Sequence, residues 1–299
     1  MGTVSEKGAT QTVAERVGGP ILFHQSYGVW STKDVFRTGN RVIKLVSSGA
    51  SPSSRDFTAK ELVDGTYAAW VSGTPSVNTL YDQKGSNNLS QGFSSNAPLY
   101  NGTNNSVKFD KSGFFGAYRS IFSGSSVDGI GAEFGGNELG DEVTLAMNIK
   151  DTTGTAGTGT QAVFGVYDNA PTQDINQRQK SIVQNDSTKI IGMRQRDNGY
   201  TIFDFNTDDD ISGDSPPDFI NVIGNLFRAD TPGTTVTACD IFIDNTQEFD
   251  SSTNTLNTEC QVRKFSLGGS RFETQVCMAI PKLLTSAEIT ELNTKINNL

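Results

Sequence analysis

The sequence contains little of what most catalytic and metal centres are made of. Its 299 residues include one histidine, His24, and three widely spaced cysteines, Cys239, Cys260 and Cys277, without a C-x-x-C pair. No P-loop, dinucleotide-binding fingerprint or HExxH motif is present, and no G-x-S-x-G motif supplies a nucleophile for His24. These absences exclude the corresponding enzyme classes. They favour buried free thiols for the cysteines and a packing or surface role for His24.

Clusters of basic residues and long apolar runs are also missing. The net charge is -9, and no group of Lys or Arg stands out along the chain, which argues against binding to nucleic acid phosphates or to an anionic membrane. No apolar run approaches the roughly 20 residues of a transmembrane helix. The N-terminal stretch lacks the apolar core of a secretory signal, and Glu6 stands where a myristoylation signal needs Ser or Thr. We therefore expect synthesis in a cytoplasm, without membrane insertion.

What the sequence does contain is a series of short β-like segments separated by turns. Hydrophobic residues make up 35% and Gly numbers 31, a composition that suits two packed sheets with many connections better than a helical body. The segments are RVIKLV (41–46), SVKFD (106–110), EVTLAMNI (142–149), QAVFGVY (161–167), KIIGMR (189–194), YTIFDF (200–205), CDIFIDN (239–245), QVRKFSLG (261–268) and TQVCMAI (274–280). With turn residues between them, they predict an all-β antiparallel β-sandwich or jelly roll.

Two stretches have helical patterns. Residues 58–71 carry apolar positions interrupted by Gly65, so we expect a helix there in one or two pieces. A short C-terminal helix begins with a capping box and carries one apolar stripe. The box residues are Thr285 and Glu288, and the stripe is Ile289, Leu292 and Ile296. A helix of this kind is expected to lie on the sandwich after its last strand.

The chain divides into a polar N-terminal segment and one long domain. Residues 1–19 show no periodicity and end in Gly-Gly before Pro20, so we interpret them as a flexible anchoring arm that becomes ordered only against a partner. Residues 20–299 are interpreted as a single β-sandwich domain.

The acidic stretch DDDISGDSPPD is the candidate metal site. The residues that match the start of an oxygen-ligand calcium loop are Asp208, Asp210, Ser212 and Gly213, followed by Asp214. The bidentate Glu that closes such a loop is missing, because Phe219 stands at its twelfth position. A solvated acidic turn between strands is the alternative, and it is the one we expect. No other cofactor is indicated.

The stretch TLYDQKGSNNLSQ (79–91) is the candidate binding site. Its polar residues are Asp82, Gln83, Asn87 and Asn88. We interpret them as a structural connector in which Tyr81 turns its ring inward and the polar side chains hydrogen-bond the backbone of their own turn. Contact with a sugar is the alternative interpretation.

Four segments follow one another in an order that resembles a known fold. They are YGVWSTKDVFRTGNRVIKLVSSG, RDFTAKELVDGTYAAWV, TLYDQKGSNNLSQ and APLYNGTNNSVKFD, between residues 27 and 110, and LTSAEITELNTKIN extends the match at the C-terminus. This order resembles the concanavalin A-like lectin/glucanase sandwich, in the variant shared by arabinofuranosidase-B-type catalytic domains and many bacteriophage virion proteins. The resemblance implies a concanavalin A-like β-sandwich.

The sequence departs from the enzymes of that group at their nucleophile. Arabinofuranosidases of this type carry a vicinal Cys pair, shortly followed by an F-D-Y-G-N-A-E stretch whose Glu is the nucleophile. The corresponding stretch here is AVFGVYDNAPTQ (162–173), which has no adjacent cysteines and has Pro171 at the place of that Glu. The resemblance therefore implies a sandwich without the nucleophile of a double-displacement mechanism, and no catalytic residue is assigned.

These observations favour a non-enzymatic bacteriophage virion protein, such as a tail fibre, a capsid decoration or another appendage. The arm is expected to dock the chain onto other virion proteins, as a homo-oligomer or in several copies per particle, and to leave a lectin-like sandwich free to contact host-surface glycans. Phage proteins of this kind are made in the host cytoplasm without a signal peptide. A glycoside hydrolase of arabinofuranosidase type and a free carbohydrate-binding lectin are the alternatives.

Overall fold

The computed structural model of the chain describes residues 21–49, 51–85, 87–91, 97–109, 111–112, 117–118, 120–123, 143–152, 160–167, 179–185, 190–197, 200–210, 219–226, 234–237, 239–250, 253–256 and 264–299. The predicted arm, residues 1–19, lies outside these ranges.

Short antiparallel strands dominate the described part. They are β1 (Gly28–Ser31), β2 (Arg41–Val46), β3 (Ser54–Thr58), β4 (Ser76–Leu80), β5 (Leu89–Ser90), β6 (Leu99–Asn101), β7 (Ser106–Phe109), β8 (Lys111–Ser112), β9 (Ala117–Tyr118), β10 (Ser120–Ser123), β11 (Val143–Asp151), β12 (Thr160–Tyr167), β13 (Gln179–Asn185), β14 (Ile190–Asp197), β15 (Tyr200–Asp210), β16 (Ile220–Leu226), β17 (Thr234–Thr237), β18 (Cys239–Ile243), β19 (Thr246–Asp250), β20 (Thr253–Leu256), β21 (Lys264–Gly268), β22 (Phe272–Thr274) and β23 (Val276–Ile280). The helices are α1 (Ile21–Gln25), α2 (Ala59–Val63), α3 (Thr66–Trp70) and α4 (Ser286–Asn297). The predicted all-β antiparallel fold with a short C-terminal helix is confirmed.

The strands form two main sheets. In sheet I the hydrogen-bonded order is β1-β23-β11-β16-β18-β19. In sheet II it is β3-β2-β4-β5-β10-β21-β12-β13-β14-β15. A branch of sheet II runs β4-β6-β7-β22 and meets the end of β11. Strand β11 therefore contributes to both sheets and joins them at one corner.

Sheet I is covered on both faces. Along β11, Leu145 and Met147 join the core shared with sheet II, whereas Ala146 between them joins a second core. Along β18, Ile241 and Phe242 divide between the two cores in the same way. This alternation follows from the two-residue period of side chains along a strand. It produces three layers, with sheet II on one face of sheet I and helices on the other.

Helix α4 covers the outer face of sheet I, as the sequence predicts. Thr285 Oγ1 accepts a hydrogen bond from Glu288 N at 3.4 Å, and Glu288 Oε2 accepts one from Thr285 N at 3.0 Å, so the capping box is formed. The predicted apolar stripe is buried in the second core, and its residues are Ile289, Leu292 and Ile296.

The predicted helix over residues 58–71 is two helices, α2 and α3. Gly65 separates them with φ of 94°, a left-handed conformation that costs a residue with a Cβ more than it costs glycine. Thr58 and Glu61 form a second capping box at the start of α2.

Cys277 on β23 is a buried free thiol, as predicted. Burial raises its pKa well above the ordinary value for a thiol. Such a side chain acts as a small apolar group rather than as a nucleophile. Cys260 and the side chain of Cys239 lie outside the described part.

Asn148 occupies the corner where β11 passes from sheet I to sheet II. Residues 144–147 pair with β23, and residues 150–151 pair with β22. Between them, Asn148 Oδ1 accepts hydrogen bonds from Gln275 N at 2.8 Å and from Val276 N at 3.1 Å. The side chain thus satisfies main-chain donors that the gap between β22 and β23 leaves without a strand partner.

Replacing Asn148 with leucine is expected to lower the free energy of unfolding by about 2 to 4 kcal/mol, because buried N–H groups lose their acceptor. Urea denaturation measures the change. Asn40→Leu, at an exposed position, serves as the control and is expected to change stability by less than about 0.5 kcal/mol. Equal losses in the two variants would contradict the role assigned to Asn148.

Candidate functional site

The candidate binding stretch connects β4 to β5 and lies against β1. Asp82 forms an isolated antiparallel bridge with Trp30, and Gln83 N donates to Val29 O at 2.8 Å. The connector thereby extends sheet contacts to the edge of β1. The two segments are about fifty residues apart in sequence, so this contact is tertiary rather than local.

The carboxylate of Asp82 is the centre of the connector. Its Oδ1 accepts hydrogen bonds from Val29 N at 3.1 Å and Lys84 N at 3.0 Å, and its Oδ2 accepts one from Asn87 N at 3.2 Å. The N–H of Gly85 is a further donor to this carboxylate. The side chain is 6% exposed. Burial raises the pKa of Asp82 above the ordinary value, and the main-chain donors only partly oppose that shift.

Gln83 joins the connector to the segment that follows β1. Its Oε1 accepts a hydrogen bond from Val35 N at 3.0 Å. Its Nε2 donates to Ser31 O at 3.0 Å and to Lys33 O at 2.6 Å. Both the oxygen and the nitrogen of the Gln83 amide are therefore hydrogen-bonded to main chain.

Asn87 and Asn88 complete the connector. Trp30 Nε1 donates to Asn87 O at 2.7 Å, and Asn87 Nδ2 donates to Tyr27 O at 3.4 Å. Asn88 Oδ1 accepts a hydrogen bond from Asp82 N at 3.0 Å. The indole of Trp30 is itself buried between the sheets. The polar side chains of the connector thus hold main chain in place. Their partners lie partly in their own turn, as for Asp82 and Asn88, and partly in residues 27–35.

Tyr81 is placed differently from its prediction. The ring is half-buried instead of turned into the core, and its hydroxyl donates to Asp56 Oδ1 at 2.7 Å. Arg41 lies over the ring at 5.4 Å and pairs with Asp56 Oδ2 at 2.8 Å. Partial burial, followed by the bond to Asp56, raises the pKa of Tyr81 to about 12. The phenol is therefore a hydrogen-bond donor at neutral pH.

A groove of about 840 Å³ lies beside the α2–α3 pair, facing the β6–β7 hairpin. Its lining residues are Leu62, Val63, Gly65, Tyr67, Ala68, Gly73, Thr74, Leu99, Tyr100, Asn101, Gly102, Thr103 and Lys108. They include one charged side chain, that of Lys108, and no carboxylate. We call this feature the hairpin groove.

A buried carboxylate, Glu273 on β22, stands behind the hairpin. Asn101 Nδ2 donates to its Oε1 at 3.0 Å, Asn104 Nδ2 donates to Oε2 at 2.8 Å and Ser106 Oγ donates to Oε2 at 2.6 Å. Lys108 is its cross-strand neighbour on β7. The sequence does not reveal this cluster, because Glu273 is more than 160 residues from its donors.

The predicted calcium ligands are only partly within the described part. Asp208 and Asp210 are in β15, which extends five residues beyond the predicted strand end at residue 205. Ser212 and Asp214 lie outside the described residues. In the ranges that the structure describes, no three His, Cys, Asp or Glu side chains are grouped as metal ligands.

We expect calcium to leave the stability of the protein unchanged. A ligand that binds only the folded state raises the melting temperature, and the acidic stretch lacks the closing Glu of a calcium loop. Thermal melts with EDTA and with millimolar calcium are expected to coincide within about 1 °C. If calcium instead raised the melting temperature, and Asp208→Asn removed that rise, the calcium site would be established.

No family model matches the sequence, and no curated protein matches it. Solved structures do resemble the fold. A GH54 α-L-arabinofuranosidase soaked with a cyclic sulfate inhibitor aligns with a TM-score of 0.53 and 13% identity, over 91% of this chain and 62% of that one. A second structure concerns botulinum neurotoxin type C, whose cell entry depends on interaction with two ganglioside molecules. It aligns with a TM-score of 0.49 and 12% identity, over 73% of this chain and 49% of that one. Trypanosoma rangeli sialidase in complex with sialic acid aligns with a TM-score of 0.48 and 14% identity, over 87% of this chain and 33% of that one.

At these identities the likeness concerns the fold alone. The arabinofuranosidase alignment supports the predicted β-sandwich fold. The chain spans less than two thirds of each of these three solved chains.

No helix in the described ranges combines the length and the apolar character needed to cross a membrane.

Proposed function

We propose that this chain is a non-catalytic bacteriophage virion protein that displays a lectin-like β-sandwich and contacts host-surface glycans. The observation that carries the non-catalytic part of the proposal is the hydrogen bonding of the Tyr-Asp-Gln connector, and the virion part rests on the resemblance in motif order. The connector's buried carboxylate, Asp82, accepts hydrogen bonds from main-chain N–H groups, which leaves it unsuited to proton transfer with a substrate. The most recognisable motif of the chain thus supports a fold rather than a reaction.

The sequence adds a second reason against hydrolysis. A retaining glycosidase needs two carboxyl groups about 5 Å apart, one of them a nucleophile. Pro171 stands at the position that the nucleophile occupies in the arabinofuranosidases that the sequence resembles. A sandwich without this group is suited to display and contact.

Mass spectrometry of purified phage particles tests the proposal. The chain is expected among the particle proteins, in multiple copies, at a level that survives density-gradient purification. Recovery from the host lysate but not from particles would refute the virion assignment.

A glycoside hydrolase remains the second candidate, and Glu273 is the observation that favours it. This carboxylate is buried and fixed by three side-chain donors, a geometry in which a catalytic acid or base is positioned. It lies behind the hairpin groove rather than among its lining residues, which argues against direct contact with a substrate.

We expect no hydrolysis of aryl arabinofuranosides or of cell-wall glycans by the purified protein. The measurement is release of the aryl group over hours at high enzyme concentration, with Glu273→Gln as the matched variant. Turnover in the wild type that Glu273→Gln abolishes, while folding is retained, would establish the hydrolase instead.

A further inference from the structure

We propose that the hairpin groove binds a short saccharide that carries a carboxylate, with Lys108 as its charged contact. This inference rests on the proposed function and gives the glycan contact a location and a ligand class. The volume of about 840 Å³ lies in the range of small-molecule sites, roughly 300 to 1,000 Å³.

Part of the groove lining is apolar. Val63 is 69% exposed and is the one large hydrophobic side chain that is exposed in the described ranges. Tyr67 is held in place by edge contacts with Tyr100, at 4.9 Å between ring centroids, and with Phe57, at 6.0 Å. A fixed aromatic ring beside an exposed aliphatic side chain offers the C–H face of a sugar a surface at little cost in side-chain entropy.

Glycines set the shape of the groove. A Cβ on Gly102 would lie 2.7 Å from Tyr67 Cε1, so only glycine lets the turn of the hairpin approach the ring this closely. Gly65 and Gly73 also line the groove, with φ of 94° and 73°. At Gly65 nothing lies within 4 Å of the place that a Cβ would take, so the main chain there is open to hydrogen bonds with hydroxyls.

The charge of the groove selects the ligand class. Two of its polar side chains are already engaged, because Asn101 donates to Glu273 and the hydroxyl of Tyr100 donates to Asn105 Oδ1 at 2.7 Å. Lys108 is half-buried, and none of the ion pairs among described residues includes it. Glu273, its cross-strand neighbour, is buried, is hydrogen-bonded by neutral donors and is not a lining residue, so the lining itself presents the ammonium group alone. An ammonium group in a lining without carboxylates favours an anionic sugar over a neutral or cationic one.

The test compares sialyllactose with lactose, which lacks the carboxylated sugar, and adds a glucuronic acid disaccharide as a second acidic probe. Titration calorimetry and saturation-transfer NMR on the full chain measure binding. The wild type is expected to bind both acidic probes at least about tenfold more tightly than lactose, with an affinity that falls as salt is added. Lys108→Gln is expected to reduce affinity for the acidic probes about tenfold and to leave the weak binding of lactose unchanged.

Two further variants keep the result interpretable. Lys60→Gln removes a lysine that is exposed on α2 and is not part of the lining, and it is expected to bind as the wild type does. Val63→Ser changes the exposed apolar part of the lining without disturbing the core, and it is expected to weaken the binding of all three probes.

Several outcomes would overturn the inference: equal binding of lactose and sialyllactose, wild-type affinity in Lys108→Gln, or occupation of the groove by a peptide of residues 1–19 in place of the sugars. Failure of the groove is distinguishable from failure of the proposed function. If Lys108→Gln particles adsorb to host cells normally and the protein is present in them, the virion assignment stands and the groove assignment alone falls.

Discussion

Replacing Asp82 with alanine is expected to lower the free energy of unfolding by about 3 to 5 kcal/mol. The carboxylate accepts hydrogen bonds from the main-chain N–H groups of Val29, Lys84 and Asn87, and all of them lose their acceptor in the variant. The site is almost closed to solvent, so water replaces the lost bonds poorly. A loss of this size is a large part of the 5 to 15 kcal/mol that typically stabilises a domain.

Chemical denaturation checks the prediction, and Asp34→Ala is the matched control. Asp34 also accepts hydrogen bonds from two main-chain N–H groups, those of Thr38 at 2.9 Å and Gly39 at 2.7 Å, but at an exposed site. Its removal is expected to cost about 1 kcal/mol or less. Equal losses of unfolding free energy in the two variants would mean that burial is not the reason for the large effect expected at Asp82.

The pH dependence of Asp82→Asn adds a second readout. Burial raises the pKa of Asp82, so the folded state holds a proton there at pH values where the unfolded state, with an ordinary pKa of about 4, has released it. The contribution of this carboxyl to stability therefore increases as the pH falls through the raised pKa, and it is lost as the pH rises. The free energy of unfolding of the wild type, relative to that of Asp82→Asn, is therefore expected to be higher near pH 4 than at pH 7.

The strands that follow an apolar alternation were predictable, and strand β16 shows why others were not. Its sequence, INVIGNL, contains a glycine and two asparagines that argue against a strand. In the structure, a Cβ on Gly224 would lie 2.4 Å from Met193 Cε, so the glycine makes room for a side chain of sheet II. The side-chain amide of Asn225 makes two hydrogen bonds with the main chain of Leu284. Its Nδ2 donates to the carbonyl oxygen at 2.9 Å, and its Oδ1 accepts from the N–H at 3.0 Å. Tertiary partners thus override the local propensity.

The candidate sites show the same limit on prediction. The composition of the Tyr-Asp-Gln connector marks it as an ordered turn, and its residues are identifiable in the sequence. Its partners are not, because Asp82 and Gln83 bond to a segment about fifty residues earlier. The hairpin groove was not predicted at all. It depends on the close approach of Gly102 to Tyr67. These residues are far apart in the sequence, and no short motif predicts that they come together.

Deleting residues 1–19 is expected to abolish incorporation of the protein into phage particles. The arm lies outside the described residues, so the prediction rests on its sequence. Ordering a polar segment costs roughly 1 to 2 kcal/mol per residue, and only a partner surface offsets that cost. Burial of Val4, Val13 and Val17 and addition of a strand to a sheet edge are the available gains. Strand β3 offers such an edge, because among the described strands it pairs with β2 alone.

Complementation of a phage that lacks the gene, followed by mass spectrometry of the particles, measures the effect. Full-length protein is expected in particles and the truncated protein only in the lysate, with equal melting temperatures for the two. A variant with serine in place of Val4, Val13 and Val17 keeps the length and charge of the arm and is expected to be incorporated weakly. That result separates burial of apolar side chains from a requirement for length alone. Truncated protein in particles at the wild-type level would mean that the sandwich itself carries the docking surface, and the arm would then lose its assigned role.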